Sequence, residues 1–292
     1  MTTTMTSRPL TPEDIERGYN NRAAVPEHPY WFGQFAERTR SAVERLRPAL
    51  DVRYGEGPKE TLDLYVPKAN PRGTLLFIHG GYWRGLDKSE HGFVAPVFVD
   101  AGYAVAVVNY DLCPAVTIAT IVDGCRRAVA WLVREGPARG APAPLVIGGH
   151  SAGGHLTAMM FATDWSAQGL AAVPFAGGFS LSGVHDLEPL VQFSGNADFR
   201  LDVPEARRLS PVHLRPTTDA PLLVAVGANE TSEFVRQTDV MWEAWPRNRP
   251  PGATGPMHVA ERHHFDVVLD FTQRDSALTQ AALRLFPGHP LR

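Results

Sequence analysis

Cysteine is scarce in this chain, which has only Cys113 and Cys125 among 292 residues. Neither has a partner at the spacing of metal ligands, so a zinc site and a disulfide framework both lack support. We therefore expect both cysteines to be reduced packing residues. We also expect the chain to need no metal and no cofactor.

Long apolar runs and an excess of charge of one sign are also absent. No stretch approaches the roughly 18 apolar residues of a membrane span, and the first residues, M-T-T-T-M-T-S-R-P, lack the apolar run of a secretory leader. The 28 basic and 31 acidic residues give a formal charge of −3, which offers no basic field to nucleic acid or an anionic membrane. We therefore expect a cytoplasmic protein that binds neither.

The chain does contain short apolar strands that alternate with helical patterns. The apolar runs predict buried strands at residues 75–78, 103–109, 145–147, 175–181 and 222–226. Residues 52–57 and 61–67 alternate in polarity and predict an antiparallel hairpin at the sheet edge. Strands that alternate with helices imply right-handed crossovers, so we predict an α/β fold with a mostly parallel central sheet and helices on both faces.

The helical and irregular segments suggest a division of the chain. Helices are predicted from Thr11-Pro12 to about Gly18 and over Tyr30–Arg47. Residues 1–50 would then be a helical extension packed on or near the active site, and residues 51–292 the main α/β domain. Residues 183–220 show no clear period and predict a small cap inserted after a strand.

A serine lies between one of the predicted strands and the helix after it. Gly149-His150-Ser151-Ala152-Gly153 fits G-x-S-x-G, whose glycines let the backbone turn sharply and hold the hydroxyl clear of the sheet. This pattern is typical of a nucleophile elbow, which makes Ser151 the candidate nucleophile. The alternative is a serine that caps the helix by accepting from its first N–H groups.

A serine nucleophile needs a base to take its proton and an acid to orient that base. In the elbow architecture the acid follows a late strand and the histidine precedes the final helix. The acid is then Glu230 or Glu233, and we favour Glu230 because Glu233 fits the first turn of the next helix, where acids stabilise the dipole. The base is His264 or His263, which cannot both face the serine, and position favours His264.

The loop after the strand at 75–78 reads His79-Gly80-Gly81-Tyr82-Trp83. Glycine permits a close approach to the elbow, so Gly80 and Gly81 could turn backbone N–H groups toward the serine. Together with the N–H of Ala152 they would form an oxyanion hole. The alternative is a glycine turn followed by two aromatic packing residues, Tyr82 and Trp83.

Several motifs in order make the chain resemble the arylformamidases, the kynurenine formamidase branch of the α/β-hydrolases: H-G-G-Y-W, N-Y-D-L-C-P, G-H-S-A-G-G-H-L, L-S-G-V-H-D-L, G-A-N-E-T-S-E-F and H-H-F-D. The resemblance runs from about Tyr54 to the C-terminus and implies the α/β-hydrolase fold. H-G-G and G-x-S-x-G are also shared by many esterases and lipases. The resemblance implies these roles: Ser151 as nucleophile, His264 as base, Glu230 as acid, and Gly80, Gly81 and Ala152 as oxyanion groups. The formamidases usually carry aspartate where this chain has Glu230.

The function that the resemblance implies is a metal-free serine hydrolase that cleaves an aryl formamide. Its expected substrate is N-formylkynurenine, which gives kynurenine and formate in the kynurenine pathway of tryptophan catabolism. Tyr82 and Trp83 would form an aromatic wall, with core packing an equal alternative for Trp83. A carboxylesterase for small acyl or aryl esters is the first rival, and a non-catalytic binding protein on a hydrolase fold is the second. The sequence leaves open whether the chain forms a homodimer.

Overall fold

An eight-stranded sheet runs through the structure, a computed structural model that describes residues 10–289. The expectation that the chain has no secretory leader concerns residues outside that range. The strands are β1 Ala49–Arg53, β2 Thr61–Tyr65, β3 Thr74–Ile78, β4 Ala104–Val108, β5 Leu145–His150, β6 Phe175–Leu181, β7 Leu222–Gly227 and β8 Met257–Val259. Their order in the sheet is β1-β2-β4-β3-β5-β6-β7-β8.

The pairing of the strands confirms a mostly parallel sheet. β1 and β2 form the predicted antiparallel hairpin, β2 is antiparallel to β4, and the pairs from β4 to β8 are all parallel. The carboxyl ends of β3, β5, β6 and β7 therefore lie at one edge of the sheet. The loops that follow these strands, at residues 79, 151, 182 and 228, meet there.

Helices cover both faces of the sheet, as the sequence predicts. Successive residues of a strand face opposite sides of the sheet. On β3, Leu76 and Ile78 therefore pack into the core on one face, and Leu75 and Phe77 pack into the core on the other face. The helices are α1 Pro12–Tyr19, α2 Asn21–Ala24, α3 His28–Leu46, α4 Ala95–Asp100, α5 Ile118–Glu135, α6 Ala152–Phe161, α7 Asn196–Phe199, α8 Val203–Arg208, α9 Ser232–Ala244 and α10 Ala277–Leu283. No helix within residues 10–289 is long and apolar enough to cross a membrane.

Some element bounds differ from those predicted. The sequence predicts that residues 265–286 contain a closing helix. The structure has a 3₁₀ segment there, Val267–Thr272, followed by α10, which has only seven residues. The hairpin strand predicted at residues 52–57 is β1, which begins at Ala49 and ends at Arg53. Helices α2, α4, α7 and α8 were not predicted, because runs of four to six residues are too short to show a helical period.

The first helices dock near the loops at the carboxyl edge. Thr11 caps α1 in a capping box with Asp14. At the other end of α1, the Thr231 hydroxyl donates to the Gly18 carbonyl at 2.5 Å, which joins α1 to the start of α9. Residues 183–220 contain α7, α8 and 3₁₀ turns. The division into an extension, a main domain and a cap remains a prediction.

Candidate active site

Ser151 occupies a strained turn between β5 and α6. Its φ of 57° and ψ of −119° lie where residues with a side chain are uncommon. The turn requires glycine on both sides, because a Cβ at Gly149 would lie 2.3 Å from the Gly153 carbonyl oxygen and one at Gly153 would lie 2.0 Å from that of Ile78. The Ser151 N–H donates to the Leu181 carbonyl at 2.8 Å, which anchors the turn to β6.

Three side chains singled out in the sequence form one hydrogen-bonded series. The His264 Nε2 lies 3.0 Å from the Ser151 hydroxyl oxygen, and the His264 Nδ1 lies 2.6 Å from Glu230 Oε2. Ser151 and His264 are both almost fully buried. The carboxylate fixes the proton on Nδ1, so the free Nε2 lone pair faces the serine hydroxyl. This arrangement can withdraw a proton from the hydroxyl.

The second oxygen of Glu230 is held by two donors. The Ser182 hydroxyl donates to Oε1 at 2.5 Å and the Gly227 N–H donates to it at 2.8 Å. Ser182 follows β6 with a φ of 53°, at the same sheet edge as the elbow. Ser182 was not predicted from the sequence, although its place after a neighbouring parallel strand is a usable signal. Glutamate has a longer side chain than aspartate, and the Ser182 hydroxyl holds the longer side chain of Glu230 in position.

Replacing Ser182 with alanine is expected to lower kcat/KM about tenfold or more, because a hydrogen bond to a charged group contributes about 1.5 to 3 kcal/mol and only the Gly227 donor would remain. Steady-state kinetics measure the effect. Ser180→Ala is the matched control, since the Ser180 hydroxyl bonds the His185 Nε2 at 3.1 Å and not Glu230. Equal losses from the two variants would contradict a specific role for Ser182.

The two rival residues have other partners. Glu233 Oε2 accepts from the Tyr19 hydroxyl at 3.1 Å and from Arg236 Nε at 2.8 Å, so this carboxylate is engaged between α1 and α9. His263 Nδ1 accepts from the Phe265 N–H at 3.1 Å. The structure thus brings Glu230 and His264 to the serine, and it leaves Glu233 and His263 in structural contacts.

The residues predicted to form the oxyanion hole lie next to the serine or, like Gly81, line its pocket. A Cβ at Gly80 would lie 3.1 Å from the Ser151 Cβ, so only glycine allows this approach without displacement. Gly81 has a φ of +111°, which favours glycine. Within residues 10–289 the backbone N–H groups of Gly80, Gly81 and Ala152 donate to no acceptor. They are free to bind an oxygen of a substrate.

His150 contacts the backbone and the ring of the base, His264. Its Nε2 lies 2.9 Å from the His264 carbonyl oxygen, and the two rings lie 4.8 Å apart between centroids. Burial lowers the pKa of His150 well below the usual histidine value, so the ring is neutral and Nε2 is the donor in this contact. The hydrogen bond fixes the backbone of the loop that carries His264.

A small pocket of about 80 Å³ opens beside Ser151 and His264. Segment 19–35 contributes Tyr19, Asn20, Asn21, Arg22, Phe32 and Phe35, the oxyanion loop contributes Gly81, Tyr82, Arg84 and Leu86, and the remainder includes Phe193, Ser194 and Phe265. The sequence predicted only that the first 50 residues lie on or near the site. Their individual roles in its wall were not foreseen.

The two aromatic residues predicted to contact substrate are placed differently. Tyr82 lines the pocket, and its hydroxyl donates to the Tyr19 carbonyl at 2.6 Å. Trp83 is fully buried, and its indole N–H donates to His155 Nδ1 at 3.2 Å. The assignment of Trp83 to substrate binding is therefore wrong, and its alternative, core packing, is correct. The reason is the sharp turn of the loop, with φ of 52° at Tyr82 and 55° at Trp83, which sends the two rings in different directions.

One group of side chains within residues 10–289 has the composition of a metal site. Ligand atoms of Asp186, Glu188 and His213 lie within 4.8 Å of one another. These groups are already paired, since Glu188 Oε1 lies 3.0 Å from His213 Nε2 and Asp186 Oδ2 lies 3.5 Å from Arg236 Nη1. None of the three lines the pocket at Ser151.

Comparison with known proteins identifies the family. The kynurenine formamidase of Salmo salar is 30% identical over 285 residues, which are 95% of this chain and 94% of that protein. The chain belongs to the kynurenine formamidase family. A second member, from Danio rerio, is 30% identical and covers 85% of the chain and 84% of its own length. The family model described as BD-FAE matches residues 62–200.

Two solved structures share the fold of this chain. A candidate thioesterase from Silicibacter sp. TM1040 is 32% identical, with a TM-score of 0.80 over 91% of this chain and 97% of that one. Esterase B from Lactobacillus rhamnosis shares the fold at 20% identity, with a TM-score of 0.67 over 91% of this chain and 96% of its own. Like other members of the family, the chain is an enzyme of the α/β-hydrolase type.

Proposed function

We propose that this chain is a metal-free serine hydrolase that cleaves an aryl formamide, with N-formylkynurenine as substrate and kynurenine and formate as products. The observation that carries the proposal is the hydrogen-bonded series Ser151, His264 and Glu230 beside a pocket with aromatic walls. The kynurenine formamidase relatives, aligned over most of the chain, support the formamide as the bond that is cleaved.

The reaction begins when the Ser151 hydroxyl oxygen attacks the formyl carbon and His264 Nε2 takes its proton. Free N–H groups of Gly80, Gly81 and Ala152 stabilise the oxyanion. The carbon–nitrogen bond then breaks as His264 returns the proton to the aniline nitrogen, and the arylamine leaves. Water, deprotonated by His264, attacks the formyl ester on Ser151 and releases formate.

The acid keeps the histidine in the productive tautomer. Glu230 accepts the Nδ1 proton and stabilises the imidazolium that forms during each attack. Because Ser182 and Gly227 hold its other oxygen, the carboxylate cannot rotate away from the ring. Apart from the attacking water, the steps use side-chain and backbone groups of this chain.

An esterase acting on small acyl or aryl esters is the second candidate. The same groups would attack an ester carbonyl, and an ester leaving group needs less help from an acid than an amine does. The similarity to a candidate thioesterase over 91% of this chain supports this alternative. The two functions differ in the bond cleaved and in the size of the acyl group that the site accepts.

For the formamide proposal, we expect kcat/KM for N-formylkynurenine to exceed that for its N-acetyl analogue at least about tenfold, because one unaccommodated methyl group can cost about 1 to 3 kcal/mol. Release of kynurenine from each compound at one pH measures both rates, with Ser151→Ala as the background control. Nitrophenyl acetate should also turn over. Brisk hydrolysis of that ester with no detectable formamide cleavage would assign the chain to the esterase alternative.

A further inference from the structure

The charged side chains that line the pocket at Ser151 are all basic. Among the described residues that line it, Arg22 and Arg84 are cationic and none is aspartate or glutamate. The wall is otherwise aromatic, aliphatic or neutral and polar. A cleft lined by charge of one sign favours a ligand of the opposite sign.

The two arginines differ in their partners. Arg84 Nη1 lies 2.7 Å from the Asp198 carboxylate, so its charge is already neutralised. Arg22 has no ion-pair partner within residues 10–289, and its guanidinium carbon lies 5.7 Å from the centre of the Phe32 ring, which also lines the pocket. Arg22 is therefore the lining cation that remains free to pair with a carboxylate.

The side chain of Asn21, the residue before Arg22, is buried in the wall of the same pocket. It is 4% exposed, and neither its nitrogen nor its oxygen has a hydrogen-bond partner among residues 10–289. An unsatisfied buried polar group costs about 1 to 3 kcal/mol, so a retained one has a reason outside folding. A carboxamide that meets a polar ligand would recover those hydrogen bonds.

We propose that Asn21 and Arg22 form the subsite for a carboxylate at the end of the substrate distant from the scissile bond. Arg22 supplies the charge, Asn21 supplies an N–H donor, and the Phe32 ring packs against the aryl part. Guanidinium pairs with carboxylate through charge-assisted hydrogen bonds, which are stronger than neutral ones. The substrate class is then an aromatic amide or ester that bears an anionic side chain. This inference rests on the proposed function, because it takes the pocket at Ser151 as the substrate pocket.

Calorimetric titration with 4-phenylbutanoate and 4-phenylbutanamide tests the subsite without any turnover. These ligands share the ring and the chain and differ in the charge of the terminal group. We expect the carboxylate to bind at least about tenfold more tightly, the effect of one hydrogen bond to a charged group. Arg22→Met should abolish this preference. The matched control is Arg40→Met, which removes an equal charge from an exposed position on α3 outside the pocket lining and should leave the preference intact.

Asn21→Asp is the second variant, because it keeps the shape of the side chain and places a like charge beside the ligand. It should weaken binding of the carboxylate at least about tenfold and change that of the carboxamide little. Equal affinities of the two ligands for the unmodified chain, or a preference that persists in Arg22→Met, would overturn the subsite. Absence of N-formylkynurenine cleavage would overturn the proposed function instead, and the titration would still report on the subsite.

Discussion

Replacing Ser151 with alanine is expected to lower kcat on the order of 10⁴-fold or more, because no other group near His264 can take the place of the attacking oxygen. The fold should survive, since the hydroxyl oxygen of Ser151 is bonded only to the His264 ring among the described side chains. Steady-state kinetics on the preferred substrate measure the loss, and circular dichroism and thermal melting measure the fold.

A fluorophosphonate provides the control for this variant. It should add once per chain of the unmodified protein, at Ser151, and should not label Ser151→Ala. Peptide mapping after proteolysis identifies the labelled serine. Labelling at another serine, or activity retained in a folded Ser151→Ala protein, would end the proposal that Ser151 is the nucleophile.

The exchange Glu230→Gln is expected to lower kcat by about 10⁴-fold, because an amide can donate to Nδ1 and so favours the tautomer with its proton on Nε2, facing the serine. The matched control is Glu233→Gln, three residues along the chain. Glu233 bonds Tyr19 and Arg236, so its loss should lower the free energy of unfolding by about 1 to 3 kcal/mol and leave kcat nearly unchanged.

Kinetics and denaturant unfolding of both glutamine variants separate activity from stability. A small and equal effect of the two exchanges on kcat would mean that the acid lies elsewhere. A large loss from Glu233→Gln alone would transfer the role to that residue.

The residues that bear on catalysis were predictable to different degrees. Ser151, Glu230 and His264 could be located because the elbow motif fixes an order of strands and loops, and each of those loops holds few suitable side chains. Ser182 was not predicted, because its hydrogen bond to Glu230 depends on the strand β6 lying beside β7. Such a contact leaves no spacing pattern in the sequence.

The sequence could not predict the direction in which side chains point from irregular loops. Trp83 was assigned to the substrate because it follows an oxyanion motif, and only the positive φ angles of the loop show that its ring turns into the core. Asn21 and Phe32 were not assigned at all, since periodicity indicates which face of a helix is apolar and not which surface it docks on.

The wall of the pocket and the reacting groups come from separate stretches of the chain. The wall takes six residues from segment 19–35, whereas the elbow, the acid and the histidine lie at 151, 230 and 264. Substitutions within segment 19–35 can therefore alter which compounds the enzyme accepts while the reacting groups stay in place. For the engineer, that short segment is the stretch to randomise in a search for new selectivity.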